Sequence, residues 1–522
     1  MSIEGWLKAA VDDAEARGLK ELKPLLESLA QSTALLRRAD FNSGADGASS
    51  TDKAPSSPSL SLESPSAGSP APGSRPLATG YSIEEFGRRL RGGRTSSIEA
   101  TETCLRAIDE KDEGLNAFIL VMAEDSRRHA LQADADLAAG HDRGPLHGVP
   151  ISLKDLIDVR GVATTAASNV RRHAIAASDA PIVAQLRQAG AVVIGKTNLH
   201  EFAFGTTNED SAWGPARHPF DPSRSPGGSS GGSAVSVVAG MALATIGTDT
   251  GGSIRIPSAV CGLVGLKPTV GEIATDGVVP LSHTLDHVGP LALTVGDAWH
   301  VHQALLGRSA SRPLVASPLA GMRLGIPHRY FSGVLEPGVR AAFDTTVAAL
   351  MRAGARTAPV DIAHADYIAT IYLQIVLAEA AAFHASALES VADRYTSPVR
   401  LRLEMARYVL AEDYLRAQAG RAVLRREIDG ALAWNDALIL PTLPIVAPKI
   451  GEASLTIDGT AHPVRNLMLR LTQPFNISGH PAVSLPCGNV DGLPVGLQVV
   501  GRRQETDALM RVALAAERAI QS

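Results

Sequence analysis

The sequence predicts an α/β protein built on a large, mostly parallel sheet, and three observations lead there. From Asn116 onward, short apolar runs of strand type alternate with helical runs, the rhythm of strand–helix–strand units. The 522 residues are 45% hydrophobic and 20% charged, enough for a sizeable buried core. A central stretch, Ser225–Pro257, holds two glycine–serine turns separated by an uncharged segment of small residues. The rest of the chain is organised around that stretch.

The elements follow in order. Residues 1–41 read as a helical extension, with Leu22, Leu25, Leu26, Leu29, Thr33 and Leu36 at helical spacing. So short a piece cannot bury that face alone. It must pack on the main body or on a second copy, so a homodimer is one expectation. Residues 42–80 read as a flexible linker, with Pro55, Pro58, Pro65, Pro70, Pro72 and Pro76 among serine, alanine and glycine. Residues 81–522 read as one catalytic domain. Ser82–Glu85 and Ser96–Glu99 have the capping-box pattern that opens helices. AFILVM, GVPISLKDLI and AVVIGKTN read as strands, and APIVAQLRQAG as a helix closed by Gly190. Further strands are expected near Met322, Asp436, Pro481 and Val495. The segment from Leu335 to about Asp429 is expected to be mainly helical.

Composition excludes several classes. A net charge of −5 without a basic block argues against direct nucleic-acid binding. Three scattered cysteines, Cys104, Cys261 and Cys487, provide neither a disulfide framework nor a zinc site. The N-terminus is charged within four residues and has no apolar signal core. The longest uncharged run, Ser225–Thr248, begins with glycine and serine, which would expose backbone polar groups to lipid. A cytoplasmic protein with no membrane partner is the expectation.

The glycine–serine turns carry the chemistry. Without a Cβ, glycine lets backbone N–H groups approach a ligand, and a serine among such donors suits acyl transfer. A linker is excluded because GGSSGGS leads into an apolar segment. A phosphate loop lacks its Gly-Lys-Ser/Thr ending. Gly227–Gly231 fits G-x-S-x-G around Ser229, but loop rather than strand precedes it. Ser253, after Thr250-Gly251-Gly252, is the preferred nucleophile. Two bases are open: His283 or His287 beside Asp286, completing a Ser–His–Asp set, and Lys154, whose burial would lower its pKa toward neutrality.

At these residues the chain resembles the amidase signature family. The motifs are GVPISLKD (148–155), GKTNLHEFAFG (195–205), SPGGSSGGSA (225–234), GTDTGGSIRIPSAVCGLVGLKPT (247–269) and LDHVGP (285–290). The resemblance runs from about Tyr81 through NISGHPAVSLPCG (476–488) and GLPVGLQVVGRR (492–503). It implies the amidase-signature fold, with helices on both faces of a mixed, mostly parallel, twisted sheet. It also implies a Ser–cisSer–Lys triad. Ser253 would be the nucleophile, Ser229 the relay on a cis Gly228–Ser229 peptide, and Lys154 the neutral base. Ser230 would support Lys154 and Ser229. Thr250, Gly251 and Gly252 would form the oxyanion hole, and Asp249 with Arg255 a structural ion pair. No cofactor or metal is required.

The implied activity is hydrolysis of a small-molecule carboxamide to an acid and ammonia or amine. Two alternatives accompany it: the glutaminase subunit of a tRNA-dependent amidotransferase, and a catalytically silent scaffold. The N-terminal extension speaks against the first, and intact Lys154, Ser229 and Ser253 against the second.

Overall fold

Thirteen strands are present among the described residues: β1 (Phe118–Val121), β2 (Pro150–Lys154), β3 (Val192–Thr197), β4 (Ala244–Thr248), β5 (Val264–Lys267), β6 (Val288–Ala292), β7 (Arg323–Pro327), β8 (Arg356–Val360), β9 (Ala437–Pro441), β10 (Ser454–Ile457), β11 (Thr460–Pro463), β12 (Ala482–Val490) and β13 (Leu493–Val500). They belong to a computed structural model that describes residues 1–41, 81–308 and 313–522. The linker expected over 42–80 lies outside the described residues.

Eleven strands form one mixed sheet in the order β1-β3-β2-β4-β6-β5-β12-β13-β9-β7-β8, and β10 and β11 make a separate ribbon. Parallel pairing is confined to the two flanks, where β2 pairs with β3 and β4 and where β7 pairs with β8 and β9. The six other pairings are antiparallel. The parallel share is therefore smaller than expected, because apolar runs reveal strands but not their direction. The β12–β13 hairpin shows one local cause. Asp491 and Gly492 both have positive φ, 50° and 81°, as a two-residue turn joining antiparallel strands requires.

Strand periodicity divides the core. Ile151, Leu153, Ile246, Ile439, Leu485 and Leu497 face one apolar cluster. Leu438, Leu440, Ala482 and Val500 face the other. Successive side chains point to opposite faces of a strand, so Ser152 and Lys154 share the face opposite Ile151 and Leu153. That second face carries a polar layer: the Ser152 hydroxyl meets Ser236 at 2.9 Å and Thr245 at 2.8 Å.

The expected strands and the Pro181–Gln188 helix are present, and Gly190 closes that helix with φ 84°. Ser96 completes its capping box, while Ser82 caps Glu85 N–H from its side chain. β8 interrupts the segment read as mainly helical. It is a short, half-exposed edge strand, where Pro359 is tolerated. The helical stretch Ala365–Ser390 is long and apolar enough to cross a membrane by length and composition, and here it packs among other helices.

The N-terminal extension is a hairpin of helices Ile3–Ala16 and Lys23–Arg38. Leu22, Leu26, Leu29 and Leu36 are fully buried, each worth roughly 1.5–3 kcal/mol. Leu25 is only partly covered. The cover comes from helices Ile368–Ser390 and Ala411–Trp434 of the same chain. Arg37 grips Asp413 through two bonds of 2.7 Å, and Trp6 Nε1 donates to the Tyr408 carbonyl at 3.2 Å. The apolar face thus needs no second copy to cover it.

Candidate active site

β2 and β4 run side by side in register, and their last residues, Lys154 and Thr248, meet at the carboxyl ends of parallel strands. Such ends are where open α/β sheets hold ligands. Lys154 is wholly buried. Its Nζ donates to Ser229 Oγ at 2.7 Å and to Thr248 Oγ1 at 2.8 Å. Burial pushes the amine down to about 7, against the opposing pull of Asp249 and Asp286. A desolvated amine meeting hydroxyls rather than a carboxylate loses its reason to stay charged.

Ser229 precedes the buried helix Gly231–Val238, and the Gly228–Ser229 peptide is cis. The glycines are there for close packing. A Cβ on Gly228 would lie 2.8 Å from the Thr207 and Asn208 nitrogens, and one on Gly232 would lie 2.5 Å from the Ala117 carbonyl. This is why a run with linker composition forms a rigid turn.

The second turn, 249–253, follows β4 and leads into the helix Arg255–Cys261. Among the described residues, the N–H groups of Thr250, Gly251, Gly252 and Ser253 donate no hydrogen bond. Adjacent donors left without acceptors are what an anion receptor requires. Gly252 has φ 145°, a conformation that side chains rarely adopt. The Ser253 hydroxyl makes no hydrogen bond to Ser229 among the described residues. The two turns are joined instead by Ser230 N–H donating to the Ser253 carbonyl at 3.3 Å.

Below this turn, Arg255 and Asp249 form the expected ion pair, wholly buried, with contacts of 2.9 and 3.0 Å. Burial would raise the Asp249 carboxyl, but Arg255 and Lys267 overrule it and hold it well below the usual range. Asn476 Nδ2 adds a bond of 2.7 Å to Asp249, and Arg255 also donates to Gln498 at 2.7 Å. These satisfied partners are what a buried charge pair needs.

The histidine alternative does not assemble. The His287 ring faces the Asp249 and Leu285 carbonyls and Lys267. His283 is 73% exposed. Asp286 instead accepts from the Thr250 hydroxyl at 2.5 Å and from two backbone N–H groups. Burial pushes its carboxyl up to about 6. Ser230 does not reach Lys154; its hydroxyl donates to the Thr248 carbonyl at 3.3 Å.

Sequence reasoning missed Thr248, the second partner of Lys154. It also missed Thr472, whose hydroxyl donates to the Gly251 carbonyl at 2.6 Å, and Tyr372, whose hydroxyl a Cβ on Gly251 would strike. Thr248 stood inside a quoted motif; Tyr372 and Thr472 come from distant segments and carry no local signal. A cavity of about 220 Å³ adjoins Thr248, Thr250, Leu156 and Asp286. No group of three or more His, Cys, Asp or Glu residues able to hold a metal occurs among the described residues.

Comparison with known proteins places this geometry. The Amidase family model matches residues 99–510. The A-type subunit of the glutamyl-tRNA(Gln) amidotransferase of Anaeromyxobacter sp. (strain K) is 38% identical, over 84% of this chain and 95% of its own. A crystal structure of an amidase aligns with a TM-score of 0.80 at 37% identity, covering 84% of this chain and 99% of that one. The crystal structure of the corresponding amidotransferase chain from Thermotoga maritima aligns with a TM-score of 0.69 at 32% identity, covering 84% and 95%. The fold, the placement of the two glycine–serine turns and these similarities converge: the chain belongs to the amidase signature family.

Proposed function

We propose that the chain cleaves the carbon–nitrogen bond of a carboxamide through an acyl-enzyme on Ser253. The single observation carrying this reading is the wholly buried Lys154 amine bonded to Ser229 and Thr248. At a pKa of about 7 the amine is matched to proton transfer at neutral pH. Ser253 attacks the carbonyl carbon while its proton passes to Ser229, whose own proton passes to Lys154. The oxyanion is received by the free N–H groups of Thr250, Gly251 and Gly252. Loss of one such donor typically costs about 3 kcal/mol of transition-state stabilisation. The chain of protons then reverses to expel ammonia or amine, and water releases the acid. Ser230 and Gly228 hold the relay turn in place. The catalytic unit is residues 81–522, with 1–41 a docked extension. Labelling of Ser253 by a fluorophosphonate, with ammonia release from carboxamides, tests this; a Ser253→Ala variant that kept near-native turnover would refute it.

A second reading concerns the fate of the ammonia. The curated relatives favour an A-type subunit of a tRNA-dependent amidotransferase, at 38% identity over nearly their whole length. The higher TM-score to a chain named an amidase favours plain amide hydrolysis. Co-purification with two further subunits and glutamine-dependent amidation of tRNA would support the amidotransferase. Turnover of simple amides by the isolated chain, without such partners, would support the free-standing enzyme.

A further inference from the structure

Among the described residues, Arg465 is a cation without a counter-ion, placed beside the turn that holds Ser253. It belongs to the short helix Val464–Arg470, one turn before Leu469. Residues four apart share a helix face. Leu469 packs on Gly251, where a Cβ would lie 2.9 Å from its Cδ2. Arg465 is therefore on the face of that helix turned toward residues 250–253. Tyr372, whose hydroxyl closes on the same glycine, is a near neighbour of Arg465, and burial keeps its phenol protonated, so it supplies no counter-charge. Arg465 Nε is sealed from solvent and has no hydrogen-bond partner among the described residues.

The surroundings deepen the imbalance. Arg465 acts on Arg402 and His200 as a like charge, disfavouring their protonated forms. The carboxylate available there, Asp210, is already paired with Arg402 at 3.1 Å, and His200 Nε2 lies 3.0 Å from it. Asp286 is taken by Thr250 and backbone N–H groups. Arg465 is half-buried, and a sealed Nε–H without an acceptor is costly, while the planar fork of the guanidinium matches a carboxylate. The residue one turn on is Leu469, which offers nothing to an ammonium.

We propose that Arg465 binds a carboxylate at the end of the substrate remote from the scissile amide, so the preferred substrates are monoamides of dicarboxylic acids. This rests on the amide-cleavage reading above. The direct test compares succinamate and its homologues one carbon shorter and longer with butyramide, the neutral counterpart of succinamate, using the full chain. Wild type is expected to favour the best acid amide by at least about tenfold in kcat/KM, mostly through KM, and salt should erode that preference. Arg465→Gln should lose about 10- to 100-fold more on the acid amide than on butyramide, as one charge-assisted bond predicts, and Arg465→Lys should fall between. Equal losses on both substrates, or no preference in wild type, overturn the proposal. Calorimetric binding of succinate, glutarate and malonate reads the same site without turnover. At least one should bind wild type and fail to bind Arg465→Gln; equal binding to both proteins, or none to wild type, overturns the proposal. Absence of turnover and of Ser253 labelling, with selective dicarboxylate binding intact, would instead sink the amide-cleavage reading alone.

Discussion

Two buried lysines lie near the carboxyl ends of neighbouring parallel strands, and the two differ in what meets each amine. On β3, Lys196 Nζ sits 2.6 Å from Asp155 Oδ1, both groups wholly enclosed. Asp155 also accepts from Thr165 N–H at 3.0 Å. On β2, Lys154 is equally enclosed but meets only the hydroxyls of Ser229 and Thr248 among the described residues. The first arrangement compensates a buried charge and fixes it. The second withholds compensation, so burial drives the amine toward its neutral form. A third buried lysine, Lys267, donates to the Pro268 and His480 carbonyls and is likewise pushed down by burial. Among the described residues it bonds to neither Ser229 nor Ser253, so its lowered pKa is not coupled to either serine.

The comparison breaks most visibly at Lys154 itself. Lys154→Met should lower kcat by about 10⁴-fold, and Ser253→Ala by as much, as for other nucleophile–base sets. Ammonia release measures both. Yet Lys154→Met should change the melting temperature by no more than a few degrees, since it removes an amine the fold does not compensate. A collapse of stability in that variant would show that Lys154 is structural after all.

Asp155→Ala should do the reverse. It strands the Lys196 charge in the interior, at a cost of about 3–5 kcal/mol, read from denaturant unfolding. A loss under about 1 kcal/mol would contradict the contrast.

The pH dependence follows from Lys154. The base form is present above its folded pKa of about 7, so kcat/KM should fall about tenfold per unit below that and level off above it. The unfolded lysine titrates near 10.4. Between about 7 and about 10.4 the unfolded chain binds the extra proton, so this residue makes stability rise with pH across that window. Lys154→Met should lose that rise. A kcat/KM profile flat from pH 5 to 8 would remove the lysine from the mechanism.

The smallest effect is expected at Thr248. Thr248→Val deletes one acceptor of the Lys154 amine, a net contribution of about 1 kcal/mol. That predicts roughly a fivefold fall in kcat and a slight move of the acid limb to lower pH. An unchanged acid limb would mean that Ser229 alone sets the basicity.

Much of this was legible along the chain. Alternation of apolar runs and helices announced the sheet, and the Ser96–Glu99 box announced a helix start that formed as read. The turns around Ser229 and Ser253 stood out because no linker runs into such an apolar segment. Strand direction was not legible, since a short apolar run such as β5 reads alike either way. Nor were Tyr372 and Thr472, which lie 119 and 219 residues beyond Ser253 in the chain and reach the turn only through tertiary packing.

Local order decided that Lys154 ends a buried strand and that Ser229 and Ser253 lie on glycine turns, because these depend on neighbours in the chain. Only the tertiary structure decided the lysine's charge. Asp155, the next residue, looks like its natural partner, but successive side chains of a strand point to opposite faces, and Asp155 turns away to Lys196. Whether a buried amine is ion-paired or free to take a proton depends on what the opposite wall presents.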